Sequence, residues 1–484
     1  MKNRKGFVLS TYVYILLVFF LLLLGTMLAV LNNTKLLSNK LKDKTQETSG
    51  LTDSDYSFIL LGNKEEITRV NEEYVDKGVK AQTTKGVDLT ENVITENNVN
   101  INEIGDYEIN YRVTYNGVTK KLTRIVHVVD NIGVNYLNSL YQYRNDENGL
   151  IIDDTEDENL RYAGSNDDVK NYVEFGNEGE LWRIIGVFDT QTEEGGTEVA
   201  RIKLVREDSI GNFSWDSSED VINTGGGINQ WGEIKDTNGN ITYEGADLMR
   251  LLNGYYIGEE GKTCTYCNEK NQATCPTTND CSSSVTPLNA ASIKMTDKIL
   301  WNIGGVPNSA IYTDDLNHKT VVNPQSIYNY ERSNENVKLC VSLKDDGTTN
   351  YLCTDTVERT TIWNGLIALP YSTDYVYASS ESACHLNMWD GYDETTSNWT
   401  NITCKNNNWM HYGFTNDASS SMYTLTNRSH ATIASFIWYV DGLGAARAEA
   451  SAYARAIRPS VYLKPNVKII GGTGTETDPY KLSL

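Results

Sequence analysis

The chain begins with a long apolar stretch. Residues 7–31 carry no charged side chain. As a helix rising about 1.5 Å per residue they would span roughly 37 Å, enough to cross a hydrocarbon core of about 30 Å. The stretch is also longer than the apolar region of a cleaved signal peptide. The pattern therefore predicts a transmembrane helix at residues 7–31 within an anchor at residues 1–31, followed by a polar juxtamembrane linker at residues 32–56.

Period-two alternation of apolar and polar residues follows. Residues 107–113 alternate regularly, and residues 122–129 supply another apolar strand. Between residues 113–115 and 118–119, Asn116-Gly117 is the dipeptide favoured in two-residue hairpin turns. Short strands with turn residues between them predict a β-sandwich at residues 57–130.

Helical and strand patterns mix in the remainder of the chain. Val134, Leu137, Leu140 and Tyr141 have helical spacing and predict a short helix within a connector at residues 131–159. Strand patterns then occupy residues 181–188, 200–205, 423–426, 437–440 and 456–463, and residues 246–256 read as a helix that ends at Gly254. This mixture predicts one α+β head domain at residues 160–484.

Charge excludes one class of partner. The chain has 484 residues, with 42 Lys and Arg against 64 Asp and Glu, which gives a net charge of −22. Such a surface repels phosphate backbones, so nucleic acid is not an expected partner. We interpret the acidic run at residues 153–158 as a solvated loop rather than a calcium site, and residues 236–240 as a turn. No cofactor and no metal is predicted.

Three motifs in residues 57–130 carry a family resemblance. Residues 73–81 resemble a Y-x-D-x-G-V-x-A opening, residues 104–111 a G-x-Y-x-V-x-Y strand, and residues 124–130 a closing strand. Together they resemble bacterial surface immunoglobulin-like (Ig-like) domains, of the type also found in pesticidal crystal proteins. The usual D-x-x-G-N turn is replaced by Tyr115-Asn116-Gly117. The resemblance implies an all-β Ig-like sandwich that serves as a spacer or adhesion unit.

The head also shows an ordered set of motifs, at residues 172–175, 181–187, 215–216, 252–256, 369–378, 457–463 and 472–480. Their order resembles an uncharacterised bacterial extracellular domain family, whose layout is similar to C-type-lectin-like and formylglycine-enzyme-like folds. That family has no settled activity. The E-P-N or Q-P-D and W-N-D triplets of C-type lectins are absent, which speaks against calcium-dependent sugar binding.

The N-terminus carries a shorter resemblance. Residues 5–9 resemble the start of type IV pilin-like proteins, which are cut after the Gly. Those proteins have Glu at the fifth mature position, where this chain has Thr11. The resemblance implies a pilin-like assembly subunit as an alternative to a plain anchor.

Eight cysteines lie in the head, and their even number predicts disulfides formed in an oxidising exterior. They are Cys264, Cys267, Cys275, Cys281, Cys340, Cys353, Cys384 and Cys404. The first four allow three connectivities, the next two flank a predicted hairpin, and the last two bracket a polar loop. A zinc site at the first four is the alternative, although a C-x5-C second pair suits a zinc ribbon poorly. The numbers of Lys and Arg residues before and after residues 7–31 are nearly equal, so they do not set the orientation of the predicted helix. The cysteines instead predict an extracellular C-terminus.

No motif for catalysis stands out. The chain has five His and lacks G-x-S-x-G, H-E-x-x-H and a phosphate-binding Gly loop. No catalytic residue is nominated, and a non-catalytic protein is favoured. Aromatic rings beside amide groups suit sugar or peptide binding. We therefore nominate Trp389, Trp399, Trp409 and Tyr412 as candidate ligand-binding residues, with a place in the domain core as the alternative.

Together these patterns predict a multi-domain fold class: an N-terminal transmembrane helix, an all-β Ig-like sandwich and an α+β head with a C-type-lectin-like layout. The expected function is that of a single-pass, membrane-anchored bacterial cell-surface protein with an extracellular head. Its non-catalytic ectodomain would adhere to, or bind, a glycan or protein ligand. An extracellular enzyme or envelope-assembly factor and a pilin-like subunit are the alternatives.

Overall fold

The computed structural model describes residues 55–216, 229–266, 279–307, 311–314, 319–333, 338–345, 351–358, 360–385, 406–411, 421–429, 436–442, 446–451 and 453–484. They fall into two compact units. The first contains the described residues up to Lys64, then Asp76–Asn97 and Ile109–Arg124. The second contains Glu65–Val75, Asn98–Glu108 and Ile125–Leu484.

Strands dominate residues 55–130, as their alternation predicts. They are β1 (Tyr56–Leu60), β2 (Glu65–Arg69), β3 (Val79–Thr83), β4 (Ile94–Asn97), β5 (Gly105–Tyr115) and β6 (Val118–Val129), with a 3-10 turn at Thr90–Asn92. In the first unit β1 pairs with β3 and β4 pairs with β5, both antiparallel. In the second unit β2 lies parallel to the end of β6.

The turn between β5 and β6 has the predicted form. Asn116 and Gly117 both have positive φ, at 48° and 81°. A two-residue hairpin turn with both central residues in this region matches the twist of its strands, and Asn-Gly adopts it most readily. Along β5, Ile109, Tyr111 and Val113 alternate inward into the core of the first unit.

A buried ion pair stabilises the first unit. Arg124 is completely buried, and its guanidinium pairs with the Asp76 carboxylate. It also donates to the carbonyl oxygens of Asn63, at 3.1 Å, and of Leu61. The hydroxyl of Tyr111 donates to Asp76 at 2.7 Å. The Asp of the Y-x-D-x-G-V-x-A motif is thus the counter-ion of a buried cation.

We expect Asp76→Asn to destabilise the first unit by roughly 3 kcal/mol, because it leaves the Arg124 charge buried without a counter-ion. Hydrogen exchange of residues 58–128 in the full chain measures the effect. Asp88→Asn is the matched control, since Asp88 is exposed and accepts from the Thr90 N–H, which Asn can also do. Equal protection in the two variants would contradict the assignment.

The second unit contains α1 (Gly133–Asn148), α2 (Asp247–Leu252), α3 (Ala290–Met295), α4 (Pro324–Glu331) and α5 (Ser372–Val376), with a 3-10 turn at Ser382–His385. Its strands up to residue 322 are β7 (Leu150–Ile152), β8 (Leu160–Tyr162), β9 (Tyr172–Glu174), β10 (Leu181–Thr190), β11 (Val199–Arg206), β12 (Asn212–Ser214), β13 (Ile234–Lys235), β14 (Ile241–Tyr243), β15 (Thr265–Tyr266), β16 (Asn279–Asp280), β17 (Thr296–Asp297), β18 (Ile299–Asn302), β19 (Gly305–Pro307), β20 (Ile311–Asp314) and β21 (Lys319–Val322). The later strands are β22 (Lys338–Asp345), β23 (Tyr351–Glu358), β24 (Ile362–Gly365), β25 (Ile367–Ala368), β26 (Met422–Ser429), β27 (Phe436–Val440), β28 (Ala446–Ala450), β29 (Ala454–Ala456), β30 (Ser460–Leu463), β31 (Lys468–Gly471) and β32 (Tyr480–Ser483).

Two sheets organise this unit. The larger follows the order β17-β30-β11-β10-β9-β32-β31, with β25 also on β30, β8 on β10 and β7 on β8. The smaller follows β12-β29-β26-β27-β28, with β19 parallel to β26. Hairpins β13–β14 and β22–β23 lie outside both sheets, and the first confirms the turn predicted at residues 236–240.

Local sequence explains how the larger sheet is built. β10 is apolar on both faces and is buried along most of its length. At Gly186, a Cβ atom would collide with the carbonyl oxygen of Leu160. Only glycine lets β8 approach β10 this closely.

The apolar run at residues 456–463 is two strands rather than the one predicted. β29 belongs to the smaller sheet and β30 to the larger sheet. The chain passes between them at Arg458-Pro459. Because proline has no N–H to donate to a ladder, it ends one pairing at this point.

The fold class predicted from the sequence is wrong. The described part of the head is mostly β, with short helices, rather than α+β. The helix predicted at residues 246–256 is reduced to the six residues of α2. The transmembrane helix predicted at residues 7–31 lies outside the described residues. Among the residues that are described, no helix has both the length and the apolar character needed to cross a membrane.

Candidate functional site

A surface groove of about 620 Å³ lies in the second unit. The helix α2, the turns that follow it and β15 form its walls. Its charged residues are four carboxylates and two cations: Glu233, Glu244, Asp247, Glu259, Arg250 and Lys262. Met249, Asn253 and Tyr255 also line it. We call this feature the α2 groove.

Arg250 lies between carboxylates of the α2 groove. Its guanidinium pairs with Glu244 at 2.9 Å and with Asp247 one helical turn away. Burial alone would lower the pKa of Arg250, but the charge and hydrogen bond of Asp247, together with the charges of Glu244 and Asp216, outweigh burial and raise it. Two carboxylates share one cation, so the α2 groove keeps an excess of negative charge.

Asn253 fixes the position of α2. Its amide nitrogen donates to the carbonyls of Met249, at 3.1 Å, and Ile367, at 2.8 Å. Its carbonyl oxygen accepts from the N–H groups of Leu366 and Ile367. One side chain thus satisfies main-chain groups of a helix end and of β25. Asn253, which belongs to the motif at residues 252–256, therefore has a positioning role beside the α2 groove.

A disulfide borders the α2 groove. Cys264 and Cys281 are bonded across 17 residues, with Cα atoms 5.1 Å apart and both side chains buried. Cys264 lies between Thr263 and Thr265, which line the groove. The bond identifies one pairing within the three connectivities considered for Cys264, Cys267, Cys275 and Cys281. It also argues against a zinc site at these residues, because such a site needs Cys264 as a thiolate.

The other cysteines are described in part. Cys384 is also disulfide-bonded. Cys340 and Cys353 lie on the paired strands β22 and β23, so the hairpin predicted between them is confirmed. Cys267, Cys275 and Cys404 lie outside the described residues, and their pairings stay predictions. Among the described residues, no group of three or more His, Cys, Asp or Glu side chains is placed to hold a metal ion.

A second cluster of charges is fully buried in the second unit. Arg161 donates to Asp374 Oδ1 at 2.8 Å and pairs through Nε with Asp153 at 2.5 Å. Lys203 Nζ donates to Asp374 Oδ2 at 2.6 Å. The four side chains Asp153, Arg161, Lys203 and Asp374, which we call the buried charge cluster, are at most 1% exposed.

Burial and neighbouring charges set the ionisation of the buried charge cluster. Burial lowers the pKa of Lys203 to about 8, although the Asp374 charge opposes that shift. Burial would raise the pKa of Asp374, but the charges of Lys203 and Arg161 outweigh it and lower that pKa to about 2. Glu331 is a neighbouring buried carboxyl that accepts from Thr373 and Thr426, and burial raises its pKa.

The aromatic residues nominated from the sequence are not shown to form a binding surface. Trp389, Trp399 and Tyr412 lie outside the described residues. Trp409 is completely buried, and its indole N–H donates to the carbonyl of Tyr162 at 2.8 Å. Its ring also packs against the guanidinium of Arg183, at 4.8 Å. Trp409 therefore occupies a core position, which was the alternative considered for it.

Sequence reasoning missed both charged features. Asp247 and Arg250 have the i, i+3 spacing of a helical ion pair, and this spacing was the signal available for the α2 groove. Asp153 belongs to the acidic run interpreted as a solvated loop, yet it is buried against Arg161. Its neighbours Asp154 and Asp157 accept from the hydroxyls of Tyr377 and Tyr328.

Comparison with protein families identifies one part of the chain. Residues 58–128 match the bacterial surface protein Ig-like domain family. The match confirms the Ig-like domain predicted at residues 57–130. It includes the buried Asp76–Arg124 pair, so this ion pair lies within the Ig-like domain. No curated protein matches the chain significantly.

Several solved structures show a low overall similarity to this chain. A lipoprotein from Bacteroides thetaiotaomicron is 17% identical, with a TM-score of 0.16; the match covers 32% of this chain and 61% of the lipoprotein. The M60 catalytic domain with CBM51-1 and CBM51-2 of Clostridium perfringens ZmpB is 15% identical, with a TM-score of 0.16 and coverages of 31% and 14%. The CBM51-2 and INT domains of ZmpB with GlcNAc are 14% identical, with a TM-score of 0.16 and coverages of 34% and 32%.

Loss of the disulfide should loosen the α2 groove. In the chain-entropy view, a crosslink closing a loop of about 15 residues contributes roughly 3 kcal/mol. We expect the double variant Cys264→Ser, Cys281→Ser to lose hydrogen-exchange protection at residues 254–266. The cysteine-free Ig-like domain at residues 58–128 is the internal control and should keep its protection. Unchanged protection at residues 254–266 would show that the bond does not hold this wall in place.

Proposed function

We propose that the protein is a non-catalytic bacterial cell-surface protein whose head binds a ligand in the α2 groove. The observation that carries the surface location is the Ig-like domain match at residues 58–128. The disulfides at Cys264–Cys281 and Cys384 support it, because such bonds persist in oxidising compartments.

The charge of the α2 groove indicates the chemistry of the ligand. Its four carboxylates exceed its two cations, and Arg250 is already paired. A ligand with a positive charge gains from this potential, whereas an anionic ligand is repelled. We therefore infer a glycan or peptide ligand that carries amino groups.

The rigidity of the α2 groove also supports it as the ligand-binding site. Asn253 fixes the end of α2, and the Cys264–Cys281 disulfide fixes the segment that contains the groove residues Thr263 and Thr265. A groove held in one shape loses little conformational entropy when a ligand binds. A binding site, unlike a catalytic site, does not need a nucleophile and a base directed at the same point.

Reversing one charge of the α2 groove tests the ligand-binding site. The full chain is screened against glycans with and without amino groups and against lysine-rich peptides. We expect Glu244→Lys to weaken binding of the best cationic ligand by about tenfold, equivalent to about 1.4 kcal/mol. Glu244 is largely exposed, so its replacement leaves the fold intact.

The matched control is Glu194→Lys, which makes the same charge change at an exposed position outside the groove. It should bind as the unchanged protein does. Equal losses in both variants would indicate a long-range charge effect, and no loss in Glu244→Lys would exclude the α2 groove as the site.

Labelling of intact cells tests the location separately. A membrane-impermeant amine reagent should modify exposed lysines of the head, such as Lys235, before the cells are lysed. A cytoplasmic protein in the same cells is the negative control. Modification of Lys235 only after lysis would contradict a surface location, whatever the outcome of the binding experiment.

A further inference from the structure

Lys203 and Asp374 are placed as reactants as well as ion partners. The Nζ–Oδ2 distance is 2.6 Å, and both side chains are 0% exposed. Among the described residues, Asp374 is the one hydrogen-bond acceptor recorded for the amine. Aromatic rings also surround Nζ, with the ring centre of Tyr371 at 4.1 Å and those of Trp301 and Tyr462 at 5.3 Å, and the charges of Arg161 and Arg332 act on it.

We propose that Lys203 and Asp374 condense within the folded chain to form an intramolecular amide bond. An amine and a carboxyl group held at contact distance react as if at an effective concentration of about 10⁵–10⁸ M. Water is excluded from the site, so the reverse hydrolysis lacks its co-reactant. No oxidant, reductant or cofactor is required.

The step balances within the pair. Proton transfer from the ammonium to Oδ2, which the pKa values of the pair make the costly part of the reaction, leaves a neutral amine and a carboxylic acid. The amine attacks Cγ, and the charge that develops on Oδ1 is stabilised by Arg161, whose Nη1 lies 2.8 Å away. A proton then moves from nitrogen to Oδ2, the Cγ–Oδ2 bond breaks, and one water molecule leaves. Oδ2 also accepts from the N–H of Tyr371, which orients it.

The smaller number of buried charges in the buried charge cluster favours the product. Before the reaction it contains two cations, Arg161 and Lys203, and two carboxylates, Asp153 and Asp374. Condensation removes one of each and leaves the Arg161–Asp153 pair neutral overall. A buried amide has a smaller desolvation cost than a buried ion pair.

Mass spectrometry of the reduced, denatured full chain tests the proposal. We expect a mass lower than the sequence mass by one water molecule, and a tryptic peptide in which Lys203 is uncut and joined to the segment containing Asp374. Lys235, which pairs with Glu233 at 3.4 Å on the surface, is the internal control and should be cut and unmodified.

Lys203→Met should have the full sequence mass. On a denaturing gel it should migrate more slowly than the unchanged protein, because the amide closes a loop spanning 171 residues of sequence separation. The measurement on the unchanged protein decides the question even where Lys203→Met folds poorly. A full sequence mass with normal cleavage after Lys203 would show that the pair remains an ion pair and would overturn the proposal.

Discussion

The contact of Asp374 with Lys203 and Arg161 is the constraint on which the core of the head depends. These residues lie on α5, β11 and β8 respectively, and they meet where water is excluded. An isolated charge in such a place costs several kcal/mol, so each cation is stable there only together with its carboxylate. The three elements must therefore reach their final positions together. This requirement selects one packing of short strands that apolar contacts alone would permit in several arrangements.

The Ig-like domain also contains a cation buried beside its counter-ion. Arg124 is buried with Asp76 as its counter-ion, and its remaining donors reach main-chain carbonyls. Those carbonyls belong to the segment between β1 and β2. The guanidinium therefore fixes the path of a connection as well as the position of a carboxylate. In both units a buried cation is held by a buried or largely buried carboxylate.

The sequence predicts strands better than it predicts the environment of charged residues. Alternation located β5, and apolar runs located β10 and β27. Asn116-Gly117 marked the turn after β5 because few dipeptides tolerate two positive φ angles. Pro459 divided an apparently continuous strand, a break that its missing N–H makes understandable. Lys203 gave no such signal, because the pattern of β11 does not reveal that both faces of the sheet are covered. Asp153 was hidden among exposed acidic neighbours, and its burial depends on Arg161, which pairs with it only in the folded chain.

The sequence predicts only part of the α2 groove, because its helix depends on tertiary contacts. Its helix has six residues, too few to be stable without tertiary contacts. The position of α2 is instead set by its buried residues Leu248, Leu251 and Leu252, by the amide of Asn253 and by the Cys264–Cys281 bond. The apolar residues occupy the buried face of α2, while Asp247 and Arg250 remain accessible to solvent. A surface that recognises a hydrated, charged ligand needs this combination, because a fixed backbone holds the accessible charges in one arrangement.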